Sequence, residues 1–495
     1  MTVSSIFYFL RRGLVVTALA ALVACGGGGG GSSDNSGAKA ASPTTGQVAI
    51  LFTDAPSDQF CQILATVERV DLLGSSGSPT NVFMGPETID ILSLRNYTDL
   101  FAIDAFVPIG TYEKVRLTLS DLALVECDAQ GNPEPAAGWE HPRLPGNGKL
   151  DLNPRGSFEV IGGETLVIEL DMDMEKSLHV HQTGNGKWQF RPVIFVTISP
   201  DGSKLVRVFG QARIVGSMDF ELCPIEPASS VDNGSSTPGT ECLGVFTDAA
   251  TGIFDESGTR VGMDAVASGD LLTAIGFLSL YDNADGDTRM DNLRLDAAVI
   301  ELGDLGTFAR ITGEVVSAPG NNDLFVFDPT PLDDATNAID VLLQSGTRIF
   351  ALGSNAELTS AALQPGTTGQ VDGVFTTPPA GEPLKSSLIV LDQDTTPAVA
   401  LLDAVIQAPI PTDDDAVAET RRFLVDTDTL NDKCVKVDAG TRYLLITETA
   451  STSETTEITF ADLAAGDLVD VFGADDAVDS ECVLADTVQK YVTAP

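Results

Sequence analysis

Apolar and polar residues alternate with a period of two along most of this chain. In "YEKVRLTL" (112–119), Val115, Leu117 and Leu119 alternate with Lys114, Arg116 and Thr118. In "LVIELDMDM" (166–174), Leu166, Ile168, Leu170 and Met172 alternate with Val167, Glu169, Asp171 and Asp173. Successive side chains of a strand point to opposite faces, so both runs predict half-buried strands. "GQVAILFTDAP" (46–56), "CQILATVERV" (61–70) and "WQFRPVIFVTI" (188–198) add further strands, and Pro108, Gly110 and Gly184 punctuate the turns. Residues 46–200 are predicted to form an antiparallel β-sandwich.

Beyond residue 200 the chain repeats itself. "SGTRV" (257–261), "SGTRI" (345–349) and "AGTRY" (439–443) recur in order, each followed by a second signature with glycines seven residues apart: "SGDLLTAIG" (268–276), "PGTTGQVDG" (365–373) and "AGDLVDVFG" (465–473). Two anchors in a constant order predict three units, 205–304, 306–395 and 398–493. Their short strands and glycine turns suit small barrels. The expected fold is all-β: an N-terminal sandwich followed by three tandem small β-barrel-like repeats.

The first residues read differently. Arg11 and Arg12 precede an apolar run, Gly13 to Val23, of signal-peptide length and too short to span a bilayer. Residues 1–24 are expected to be an export signal. Leu22-Val23-Ala24-Cys25 resembles a bacterial lipobox, which implies acylation of Cys25 and cleavage before it. Residues 25–45, rich in Gly and Ser, are then expected to be a tether between lipid and body. Gly26 in place of an acidic residue implies, by likeness to Gram-negative sorting, the outer membrane.

Export to an oxidising compartment makes sense of the other six cysteines. Pairing neighbours along the chain gives Cys61–Cys127, Cys223–Cys242 and Cys434–Cys482, one pair within each of three predicted domains, among the fifteen connectivities that six cysteines allow. Composition narrows the partners: 28 basic against 71 acidic residues leave a net charge of −43, so nucleic acid and anionic surfaces are repelled.

Candidate chemistry is sparse. The three histidines are His141, His179 and His181, and neither G-x-S-x-G nor H-E-x-x-H occurs. His179 and His181 would lie on one strand face about 7 Å apart. With Asp171 and Asp173 they form a weak candidate metal site. Calcium is the better-suited cofactor, because Asp282, Asn283, Asp285, Asp287 and Asp291 surround Gly286 in "DNADGDTRMD" (282–291). That loop departs from an EF-hand, with Tyr281 and Asn292 at the first and last ligand places, and an acidic hairpin turn is the competing reading. Trp139 and Trp188 are candidate carbohydrate platforms, against core packing for Trp188.

"TDAP" (53–56), "VPIGTYEKVRL" (107–117), "LDMDMEKSL" (170–178) and "WQFRPVI" (188–194) resemble the bacterial domain of unknown function 4382, a family often found in lipoproteins. The resemblance implies an envelope β-sandwich and carries no catalytic residues. The repeats, through openings such as "FARITGEVV" (308–316), resemble more weakly the domain of unknown function 5666. The expected function is that of an envelope lipoprotein, anchored to the membrane through Cys25, that acts as a non-catalytic structural, adhesion or ligand-binding protein with a protein or glycan partner. The competing expectations are metal-assisted hydrolysis by the 171–181 cluster and a periplasmic scaffold.

Overall fold

In the computed structural model, alternating segments become strands whose apolar face is closed off from water. Val115, Leu117 and Leu119 are at most 2% exposed, while Lys114, Arg116 and Thr118 on the other face remain partly exposed. The structure describes residues 44–493 apart from 56–59, 76–78, 95–97, 128–132, 155, 181–187, 200–204, 225–241, 282–291, 330–337, 354–355, 376–381, 393–397, 408–420, 428–431 and 480. Cys25, His181 and the loop 282–291 lie outside these residues.

The N-terminal sandwich packs two sheets. One runs Ile194–Ser199, Thr165–Asp173, Thr45–Ala55, Thr98–Pro108; the other runs Lys149–Asn153, Lys114–Val125, Gln62–Leu73, Thr80–Asp90. Val48, Ile50 and Phe52 of the first sheet share a core with Ile63, Val67 and Leu117 of the second. Pairing is antiparallel except between Thr45–Ala55 and Thr165–Asp173, which run parallel.

Each repeat is a five-stranded barrel closed in the order 1-2-3-5-4-1, with strands three and five parallel. In repeat 1 the strands are Val206–Arg213, Asp219–Cys223, Leu243–Phe246 continued by Gly252–Phe254, Leu271–Tyr281 and Asn292–Leu302. In repeat 2 they are Ala309–Ser317, Leu324–Asp328, Ile339–Ala351, Thr368–Phe375 and Leu384–Leu391. In repeat 3 they are Ala398–Ile406, Arg421–Asp426, Lys433–Glu448, Leu468–Asp475 and Cys482–Thr493.

The paired glycines of the second signature have two separate jobs. Gly269, Gly366 and Gly466 turn into strand four at φ of 104°, 88° and 92°, which side chains disfavour. Seven residues on, a Cβ at Gly276, Gly373 or Gly473 would meet a carbonyl oxygen of strand five at 2.1, 2.3 or 2.0 Å. The first signature needs a correction in repeat 1. Thr347 and Thr441 donate their hydroxyls to the carbonyls of Ser386 and Ala485 in strand five. The residue that does this in repeat 1 is Thr251, bonded to Ala297 O at 2.8 Å, so "ATGIF" (250–254) and not "SGTRV" is the equivalent segment. "SGTRV" instead lies in an added hairpin that reaches repeat 2: Arg260 donates to Ser345, and Gly258 O accepts from Gln344.

The three disulfides are Cys61–Cys127, Cys223–Cys242 and Cys434–Cys482. The last ties strands three and five of repeat 3 at their first register position. Closing a loop of sequence separation 48 restricts the unfolded chain, so Cys434→Ala/Cys482→Ala is expected to lose about 4 kcal/mol, read as a lower denaturant midpoint for repeat 3.

The modules are fused. Strand one of repeat 1 pairs in parallel with Thr98–Pro108, and Ala49, Leu51, Ile103 and Val167 of the sandwich share a core with that barrel. Repeats 1 and 2 share a core that includes Phe254, Ile275, Phe308 and Phe350. The strand Ser453–Ile458 of repeat 3 pairs in parallel with Lys149–Asn153 of the sandwich.

Candidate functional site

Asp173 is 3% exposed and committed to local structure. It caps the short helix Met174–Ser177, accepting from Lys176 N at 2.9 Å and pairing with Lys176 Nζ at 2.6 Å. Ser177 Oγ closes the same turn by donating to Asp173 O and accepting from Val193 N. Asp171 lies in register between Thr53 and Phe195. The His179 backbone pairs with Gln189 in a two-stranded ribbon; its side chain, like His181, is outside the described residues. Of the four 171–181 candidates the structure thus places Asp171 and Asp173, and the two imidazoles lie outside the described residues.

All five acidic-loop ligands proposed for calcium, Asp282, Asn283, Asp285, Asp287 and Asp291, fall in the undescribed segment. Among the described residues, one grouping has metal-ligand spacing: Glu221, Cys223 and Cys242. Its two sulfurs are joined to each other, so they offer no thiolate. Trp139 is half-buried and its indole donates to Glu134 O at 2.8 Å. His141 is exposed and pairs with Asp121 at 2.9 Å.

Two ionic centres lie instead at the seams between modules. The first joins repeats 1 and 2. Glu301, at 2% exposure in strand five of repeat 1, accepts from Ser387 Oγ at 2.5 Å. Asp372, 0% exposed, accepts from Gln370 Nε2 at 2.6 Å. Arg310, paired in register with Asp372, lies 3.7 Å from Glu301 Oε2 and from Asp372 Oδ2. Neither Glu301 Oε2 nor Arg310 Nε makes a hydrogen bond among the described residues. Burial, and then the Asp372 charge, push the Glu301 carboxyl up to about 7, against the pull of Arg310, the Ser387 hydrogen bond and Arg207. A group so placed exchanges a proton near neutrality, and its burial closes it to a substrate.

The second centre joins the sandwich to repeat 3. Arg191, from the "WQFRPVI" segment, reaches Asp403 at 2.9 Å and the fully buried Asp470 at 3.2 Å. Its guanidinium lies 4.7 Å from the Tyr491 ring centre. Asp470 also accepts from Asp403 N at 2.6 Å, so its carboxylate is bound on both sides. Burial and that carboxylate hold the Tyr491 hydroxyl well above its ordinary value. Nearby, Arg442 stacks 3.6 Å above Phe195, and Lys114 pairs with Glu454 at 2.6 Å, with Asn153 donating to the same oxygen.

Neither centre was singled out from the sequence. The available signal was an ionisable residue on the buried face of an apolar strand: Glu301 in "AAVIEL", Asp372 in "GQVDGVF", Asp470 in "DLVDVFG". Such residues are rarely buried without a partner, but periodicity cannot say which basic residue supplies it.

Comparison with known families matches residues 45–192 to a family described as "Domain of unknown function (DUF4382)". That match covers the sandwich up to the strand Ile194–Ser199 and includes Asp173 and Arg191. Neither the curated proteins nor the solved structures contain a match to the chain.

Proposed function

We propose that this chain is an exported lipoprotein, held at the outer membrane by an acyl group on Cys25, whose body is a non-catalytic structural or ligand-binding element of the cell envelope. The observation that carries this reading is where the ionisable side chains are used. Glu301, Asp372 and Arg310 bind repeat 1 to repeat 2, and Arg191, Asp403 and Asp470 bind repeat 3 to the sandwich, inside a body further fastened by three disulfides. A fused set of four modules suits bearing load or presenting a surface. The likeness of the sandwich to the domain of unknown function 4382, a family often found in lipoproteins, supports an envelope role. Capture of a protein or glycan at the cell surface, with calcium held by the 282–291 loop, belongs to the same reading.

Radiolabelled palmitate fed to cells is expected to label the wild-type chain and not Cys25→Ser, and brief protease treatment of intact cells is expected to release the body into the medium. Equal labelling of both chains would refute acylation at Cys25. Protection of the body alongside periplasmic controls would move it inside the cell and favour a scaffold of an envelope complex.

A further inference from the structure

Three large apolar side chains stand exposed where the body begins. Phe106 is 60% exposed, Ile109 51% and Ile161 45%. Ile109 and Ile161 are neighbours by strand pairing, and Phe106 lies three residues before Ile109 in the chain. Gly110 pairs with Val160 and Thr111 with Glu159 in a two-stranded sheet, so the next position of that antiparallel register sets Ile109 opposite Ile161. Tyr112, Phe158 and Val160 of the same ribbon point into the core, which leaves Ile109 and Ile161 facing outward. Phe106 precedes the buried Val107, the register partner of Gly46. The first described residues run through this patch: Ile109 N donates to Thr44 O at 3.2 Å, and Gly163 N donates to Thr45 O at 2.9 Å.

We propose that this patch rests on the lipid surface that carries Cys25, so that the sandwich stands on the membrane by its Phe106–Ile109–Ile161 edge. The proposal relies on the lipoprotein reading given above. Eighteen residues separate Cys25 from Thr44. Eighteen residues span at most about 65 Å even when fully extended, so the covalent chain ties this edge of the body to an acylated Cys25. Apolar side chains of this size partition into the boundary between headgroups and acyl chains, and a second weak contact of that kind adds to a covalent anchor. Exposed Glu113 and Glu159 flank the patch. They select a zwitterionic surface, because anionic headgroups would repel them. Repeat 1 joins the strand Thr98–Pro108 through Thr98 and Asp99 and packs on it as far as Ile103, leaving Phe106 exposed beyond that contact.

The test uses the mature, full-length protein reconstituted into phosphatidylethanolamine/phosphatidylcholine vesicles whose phosphatidylcholine carries brominated acyl chains. Tryptophan is introduced as Phe106→Trp, Ile109→Trp or Ile161→Trp, with Leu305→Trp, 63% exposed at the junction of repeats 1 and 2, as the distant control. The emission added at the three patch positions is expected to fall at least about twofold in brominated vesicles, while that at Leu305 stays unchanged. Equal emission in brominated and ordinary vesicles at all three positions would overturn the proposal. So would a dimeric mass with unquenched patch tryptophans, which would assign the patch to a second copy. The intact mass of the same preparations reports whether Cys25 is acylated. If it is not, the soluble mature chain mixed with the same vesicles still tests the patch, and failure of the anchor is thereby separated from failure of the contact.

Discussion

Arg191→Met is expected to destabilise the attachment of repeat 3 to the sandwich by about 3–5 kcal/mol, because it leaves a buried carboxylate without its cation. Asp470 is 0% exposed, and Arg191 is the basic side chain paired with it at 3.2 Å. Methionine retains the length of the side chain and some of its packing against Tyr491 but supplies no charge. The cost is specific to the pair, so Arg191→Met/Asp470→Asn should recover much of the loss, since an amide in place of the carboxylate removes the unpaired charge. Hydrogen exchange along Lys433–Glu448 is the suitable measurement, because a four-module chain need not unfold in one step. Faster exchange there, with the strand Gln62–Leu73 unaffected, is the expected pattern. Unchanged exchange in the single variant would show that the sheet pairing of Ser453–Ile458 with Lys149–Asn153 holds the seam without Arg191.

The second large effect is a dependence on pH that runs against ordinary acid denaturation. Glu301 is raised from 4.5 to about 7 in the folded protein, so the native state binds its proton more tightly than the unfolded chain. The stability from that proton is fully present below pH 4.5 and is lost as pH rises through about 7, a difference of about 3 kcal/mol. Glu87, Asp90 and Asp104 are also raised by burial and act in the same direction. Of the carboxyls held low, Asp462 is exposed and Asp255 and Asp476 are partly exposed, so water screens their opposing effect, and Asp462 and Asp476 lie in repeat 3, away from the Glu301 seam. Scanning calorimetry is therefore expected to find the seam between repeats 1 and 2 more stable at pH 5.5 than at pH 8. Glu301→Gln should match wild type near pH 4 and exceed it at pH 8 by about 3 kcal/mol. A variant that kept the wild-type slope would place the titration at another group.

The strands were legible because burial on one face imposes a period of two on any chain that forms them. The cysteine pairs were legible because neighbours in sequence fell within single predicted domains. The first repeat anchor was misleading for a physical reason. "SGTRV" shares its letters with the true anchors, but the position is defined by a hydroxyl that reaches the fifth strand, and Thr251 does this from a segment whose likeness is confined to Thr-x-Ile-Phe. The candidate metal residues were chosen for proximity in sequence. In the strand Thr165–Asp173, Asp173 turned out to serve the helix that follows it.

By itself, the sequence determined an all-β chain with a sandwich, three barrel units and their disulfides, since alternation, glycine turns and cysteine spacing are local consequences of strand geometry. Tertiary structure alone decided that the modules share cores and seams, that Glu301 meets Arg310 and Asp372, and that Arg191 crosses to Asp470. Those contacts join residues up to 279 positions apart, and the energy of a buried charge depends on what surrounds it in space, which no local pattern records.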